Sequence, residues 1–167
     1  MQEKNIILCG FMGCGKTTVG EMLSQKLNVE FLDIDKIIEE KQNLKISEIF
    51  ENFGEDYFRK LESATVNKIC NLKNKVISLG GGTLENFENF KKLKTNGIIF
   101  FLDVSLNILK LRLQNDTKRP LLKSQNIDSL FFDRLENYKK YADFTINANL
   151  SFDKICMEIM SILNLKS

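Results

Sequence analysis

Ile6, Ile7, Leu8 and Cys9 form an unbroken apolar run, and the pattern changes as soon as it ends. Glycines at 10, 13 and 15 interrupt it, and from Val19 the apolar positions Val19, Leu23 and Leu27 recur at every fourth residue. A short continuous run bounded by glycine predicts a buried strand, and a spacing of four predicts a helix. Asn28 is placed to stop that helix in a left-handed conformation. "VEFLD" at 29–33 predicts a second strand that ends in carboxylates. "KIIEEKQ" returns to helical spacing, Ser47 is placed to cap "EIFENF", and Gly54 ends that piece. Tyr57, Phe58, Leu61, Val66, Ile69 and Cys70 then mark one longer helix to about residue 71.

The second half repeats the alternation. "KVISL" predicts a third strand, running into the glycines at 80, 81 and 82; "ENFENFKKLK" is helical; Asn96-Gly97 predicts a turn into a fourth strand, "IIFFLD". Ser105 precedes the helical "LNILKLRLQ", residues 115–128 carry no period and predict a loop, and "SLFFDRLENYKKYA" is helical again. "FTINA" is the fifth strand, and Ser151 opens a last amphipathic helix through Leu163. Strands alternating with helices imply a parallel sheet covered on both faces, with ligands bound beyond the carboxyl ends of the strands. At 167 residues the chain fits one α/β domain over residues 1–167. The glycine loop after strand one, Asp33 and Asp35 after strand two, and the glycines at 80–82 after strand three therefore converge on one edge.

Residues 10–17 meet the pattern G-x-x-x-x-G-K-T in the strand-to-helix setting it requires. Glycines let successive backbone N–H groups turn inward and form an anion site at the start of the following helix. The ligand implied is the polyphosphate of a nucleoside triphosphate, contacted by Gly13, Cys14, Gly15, Lys16, Thr17 and Thr18. Lys16 supplies a point charge to the phosphates, and the Thr17 hydroxyl a ligand for Mg²⁺.

Charge and composition narrow the acceptor. With 24 Lys+Arg against 22 Asp+Glu the net charge is +2, so no global field points to nucleic acid or a membrane surface. No run approaches the length of a membrane span and no signal peptide precedes the first strand, so the reading is a cytoplasmic protein. There is no histidine, and the four cysteines lack C-x-x-C spacing, which argues against a zinc site and leaves carboxylates as the ordinary bases. Asp33 and Asp35, two apart at a strand end, are expected to point to one side and divide labour between cation and acceptor hydroxyl. The alternative is a helix cap. Arg59 with Glu62 three residues on reads, by itself, as a surface ion pair. Gly80, Gly81 and Gly82 leave only backbone against a compact polar ligand.

Taken together, the loop at 10–17, D-x-D at 33–35, G-E-x-x-F-R-x-x-E at 54–62, S-L-G-G-G at 78–82 and R-P-L-L at 119–122 resemble the shikimate kinase family. The resemblance implies an α/β/α three-layer P-loop NTPase fold of the nucleoside-monophosphate-kinase type, with a five-stranded parallel sheet. A substrate-binding helical subdomain is expected at about 33–61 and a lid at about 112–126. It implies transfer of phosphate from ATP, with Mg²⁺, to the 3-hydroxyl of shikimate, on the route to chorismate and the aromatic amino acids. It further implies that Lys16, Asp35 and Arg119 are catalytic, that Arg112 and Arg119 meet ATP, and that Thr17 and Asp33 serve the metal. Asp35, Arg59, Arg134 and the glycines at 80–82 are implied to bind shikimate. The segment after strand five, "INANLSFDK", lacks the arginine usual near adenine, so base recognition falls to backbone or to Asn149. The expected partners are the two small substrates alone, and the expected state is a monomer. A gluconate or nucleotide kinase of the same fold, or a nucleotide-dependent switch, remains an alternative at this level.

Overall fold

The computed structural model describes residues 4–114 and 126–165. β1 (Asn5–Cys9), β2 (Glu30–Asp33), β3 (Lys75–Ser78), β4 (Gly97–Asp103) and β5 (Phe144–Asn147) form one parallel sheet in the order β2-β3-β1-β4-β5. Among the described residues the helices are α1 (Lys16–Leu27), α2 (Ile34–Gln42), α3 (Ile46–Ile69), α4 (Phe87–Asn96), α5 (Leu106–Leu113), α6 (Ile127–Tyr141) and α7 (Phe152–Ile162).

Successive strand residues point to opposite faces, and Ile7 and Leu8 are both fully buried, so the sheet centre is covered on both sides. The outer strands show their position in their exposure, with Glu30 on β2 and Phe144 on β5 reaching solvent. The register sets the functional edge: Asp33 pairs with Ser78, and Ser78 with Leu8, so the chain leaves β1, β2 and β3 at one level.

Asn28 does stop α1, at φ 51°. Elsewhere local structure departs from the sequence expectation in ways that have physical causes. Lys45, not Ser47, is the N-cap of α3, because the Glu48 carboxylate accepts from the Lys45 backbone N–H at 2.6 Å. Gly54 does end the first helical piece as expected, breaking the backbone inside α3 at φ 80°, ψ 174°, where a side chain would be strained, before the longer helix follows at once. The segment expected to be helical from 85 begins instead with a 3₁₀ turn, Thr83–Glu85, before Asn86 caps α4 by accepting from the N–H groups of Glu88 and Asn89. No turn separates α4 from β4. A Cβ on Gly97 would lie 2.1 Å from Ile7 Cδ1, so its absence lets the helix pass straight into the strand. No helix among the described residues is long and apolar enough to cross a membrane.

Candidate active site

The loop between β1 and α1 is held by its own atoms. Gly10 has φ 146°, and a Cβ there would fall 2.8 Å from Cys14 Sγ and 2.9 Å from the Leu102 carbonyl oxygen, so a tight crossing over β4 demands glycine. Lys16 Nζ donates to the carbonyls of Gly10 (2.8 Å) and Phe11 (3.2 Å) and approaches Cys14 Sγ at 3.7 Å. The Cys14 N–H closes a turn onto Phe11 O at 3.2 Å, and its side chain is fully buried, so Cys14 packs within the loop. The leading N–H groups of α1 have no intrahelical acceptors, which makes its start an anion site. Arg112, exposed at the end of α5, reaches across to donate to Gly13 O at 2.9 Å.

Asp33 joins this loop to α2. Its Oδ2 accepts from Thr17 Oγ1 at 2.8 Å, and its Oδ1 accepts from the N–H groups of Asp35 (3.1 Å) and Lys36 (3.3 Å). The pleat argument for two carboxylates on one side therefore does not apply: β2 ends at Asp33, and Asp35 stands in the first turn of α2. Asp33 is the helix cap, the role the sequence left open for Asp35, and it meets the Thr17 hydroxyl as well. Both carboxylates still face one open cavity of about 310 Å³, lined also by Lys16, Thr17, Gly81, Arg112 and Phe152.

The three glycines after β3 explain themselves by what a Cβ would strike. On Gly80 it would lie 2.8 Å from Glu62 Oε1 and 3.0 Å from Asp35 Oδ1; on Gly81, 3.1 Å from Arg134 Nη1; on Gly82, 2.6 Å from Arg59 Nη2. The run thus lets charged groups from α2, α3 and α6 close on a single turn of backbone. Arg59 donates to Glu55 Oε1 through Nε (3.2 Å) and Nη2 (2.9 Å) and to Glu62 Oε2 through Nη1 (3.0 Å). Burial opposes the Arg59 charge, but Glu62 and Glu55 outweigh it and hold the guanidinium more firmly protonated than usual. The surface-pair reading of Arg59 and Glu62 is overturned by burial: Glu62 is 1 % exposed, and its other oxygen accepts from Thr83 Oγ1 at 2.6 Å. Arg134 is buried from α6, over the face of Phe11 with its Cζ 6.0 Å from the ring centroid, and its Nε donates to Glu85 Oε1 at 3.2 Å. Tyr138, whose phenol burial raises well above its usual range, stays protonated and donates to Gly81 O.

The shikimate kinase family pattern matches residues 12–164. A shikimate kinase from Sulfurihydrogenibium sp. (strain YO3AOP1) is 50% identical over 148 residues, 87% of this chain and 89% of its own length. The chain belongs to the shikimate kinase family. A solved shikimate kinase from Acinetobacter baumannii, in complex with shikimate, superposes with TM-score 0.88 at 36% identity, over 96% of this chain and 93% of that one. A gluconokinase from Sinorhizobium meliloti 1021 covers 98% of this chain and 93% of its own at TM-score 0.61 but only 15% identity, so it shares the fold alone.

In this kinase the described residues bring Gly13, Lys16, Thr17, Thr18, Asp33, Asp35, Gly81 and Arg112 to one cavity, with Arg59, Arg134, Gly80 and Gly82 packed about its glycine turn. Arg119 and most of the segment 112–126 lie outside the described residues. Asn149 braces the loop after β5: Oδ1 accepts from the Ser105 N–H at 3.1 Å and Nδ2 donates to Asn147 Oδ1 at 2.9 Å, each atom keeping one further hydrogen-bonding position on an exposed side chain. Sequence reasoning missed Thr83, Glu85 and Tyr138. A signal existed for Glu85, since two arginines converging on one turn require a nearby carboxylate.

Proposed function

We propose that this chain transfers the γ-phosphate of ATP to the 3-hydroxyl of shikimate, with Lys16, Asp35 and Arg119 as catalytic residues. The family supplies the reaction class, an ATP-dependent kinase with a shikimate hydroxyl as acceptor. The supporting observation within the molecule is that Lys16, Asp35 and Gly81 line one cavity. The phosphate loop, a carboxylate and the glycine turn against which two arginines pack thereby meet at one cavity. Backbone N–H groups and Lys16 neutralise the triphosphate, Arg112 stands at its edge, and Arg59 and Arg134 grip the acceptor's carboxylate while Asp35 meets the attacking hydroxyl. Positioning and charge neutralisation supply most of the rate in phosphoryl transfer, so a site without histidine is sufficient.

Mg²⁺ fits the residues present: Thr17 Oγ1 and Asp33 Oδ2 lie 2.8 Å apart and offer the hard oxygen donors that ion prefers. Thr17 and Asp33 would hold it, and it would neutralise charge on the phosphates. The helical subdomain at about 33–61 holds the acceptor, the segment at about 112–126 with Arg119 acts as lid, and the enzyme works as a cytoplasmic monomer. ADP release is expected only with shikimate present, and not with gluconate or a nucleoside; release driven by gluconate, or equally fast without any acceptor, would refute the assignment.

A further inference from the structure

The 3₁₀ turn Thr83–Glu85 follows the triple glycine directly, and its last residue touches both arginines. Glu85 Oε1 lies 3.2 Å from Arg134 Nε, and Oε2 lies 3.8 Å from Arg59 Nη2. Two guanidiniums that converge repel each other, and a carboxylate between them relieves the repulsion. A substrate carboxylate gripped by both arginines has to take a place of the same kind.

The charge balance shows which carboxylate is replaceable. Arg59 and Arg134 contribute two positive charges, and Glu55, Glu62 and Glu85 three negative ones, so an incoming anion meets a surplus of negative charge. Glu62 is buried and fixed by Thr83, and Glu55 holds Arg59 along its own helix at 2.9 Å. Exposure does not separate Glu85 (39%) from Glu55 (44%), but Glu85 alone faces both arginines, stands on a short turn, and makes the longest of these contacts.

Resting on the carboxylate-binding role proposed above for Arg59 and Arg134, we propose that Glu85 is an internal stand-in for the substrate's carboxylate, bridging the two arginines until the substrate displaces it toward solvent. Glu85 thereby sets the affinity for the acid and acts as a positioning and selectivity residue, without touching the reacting hydroxyl. Glu85→Gln keeps the shape and removes the competing charge.

The test is steady-state kinetics on the full chain, with calorimetric binding of shikimate in the absence of nucleotide. Glu85→Gln is expected to lower the KM and Kd for shikimate by about three- to tenfold, the scale of one partly exposed charge interaction. kcat and the KM for ATP should stay within about twofold, and the gain should shrink in an Arg134→Met background, where only the 3.8 Å contact to Arg59 is left to compete for. Should the Gln variant not fold, Glu85→Asp decides, because a carboxylate shortened by one methylene competes less well and must also lower KM. A KM that is unchanged or raised in these variants, while Arg59→Ala raises it, overturns the stand-in role and leaves the arginine assignment intact. A KM indifferent to Arg59→Ala and Arg134→Met overturns both.

Discussion

The glycine loop and the triple-glycine turn, the two anion sites of the proposed function, hold their cations by opposite means. At the glycine loop the cation, Lys16, is held by the neutral carbonyls of Gly10 and Phe11, so these contacts set no carboxylate against its charge. At the triple glycine the cations are already matched, Arg59 by Glu55 and Glu62 and Arg134 by Glu85. The difference follows the ligands. A triphosphate brings several charges and tolerates an open, backbone-lined cradle, whereas one carboxylate must be distinguished from neutral polyols, which calls for a balanced site in which anions exchange. Under the proposed function the loop end serves charge stabilisation and the arginine end recognition, so substitutions at the two should separate into effects on kcat and on KM.

The largest effect is expected at the loop. Lys16→Ala should reduce kcat by about 10³–10⁵-fold, the range that a cation on the transferred phosphoryl group is worth. Its local carbonyl contacts carry no core packing, so the melting temperature should move by only a few degrees. Near-normal turnover in a coupled ADP-release assay would remove the loop from catalysis and end the comparison. Asp35 stands between the two ends, and Asp35→Asn should lower kcat by about 10²–10⁴-fold if it takes the hydroxyl proton, with the KM for ATP unchanged. A shift in shikimate KM alone would instead assign Asp35 to the recognition end.

The two ends also differ in how far the sequence announces them. The loop is contiguous: Gly10, Gly13, Gly15, Lys16 and Thr17 sit in one strand-to-helix turn, and local backbone chemistry determines their roles. β1, α1 and its Asn28 stop were legible for the same reason. The arginine end is assembled from three distant segments. The spacing of Arg59 and Glu62 shows that they can meet, but whether that helix face is buried depends on Thr83, twenty-one residues further along. Asp33 illustrates the same limit: D-x-D marks the carboxylates, while the end of β2 two residues earlier than the pleat argument needs is decided by the Thr17 and α2 contacts.

A smaller effect isolates recognition from catalysis. Gly82→Ala would put a Cβ 2.6 Å from Arg59 Nη2 and 2.7 Å from Nη1. The arginine must yield, because it is the flexible partner. Shikimate KM should rise by about tenfold, below the ~2–5 kcal/mol expected for outright loss of a buried charged contact in Arg59→Ala, with kcat and ATP KM near their original values. A fall in kcat of the same size would mean that the arginine end is coupled to the chemistry, and the division between the ends would be wrong.

The least effect is expected from thiol reagents, and it tests whether the loop end is preformed. Cys14 lies inside the loop and is fully buried, as are Cys9 and Cys156, while Cys70 is half-buried at the end of α3. Burial also pushes the Cys156 thiol up to about 11 and Cys9 higher still, so in the folded enzyme these two stay protonated and unreactive near neutral pH, Cys156 gaining reactivity only as pH approaches 11. They serve as internal references for a thiol that reacts only on unfolding. If the cradle is fixed before nucleotide arrives, Cys14 should label with N-ethylmaleimide as slowly as Cys9 and Cys156, at least about tenfold slower than Cys70, and added ATP should change nothing. Mass-spectrometric mapping after brief exposure checks this site by site. Rapid labelling of Cys14 that ATP suppresses would mean that the loop opens and is ordered by its ligand. The exchangeable end of the cavity would then be the phosphate cradle rather than the arginine pair.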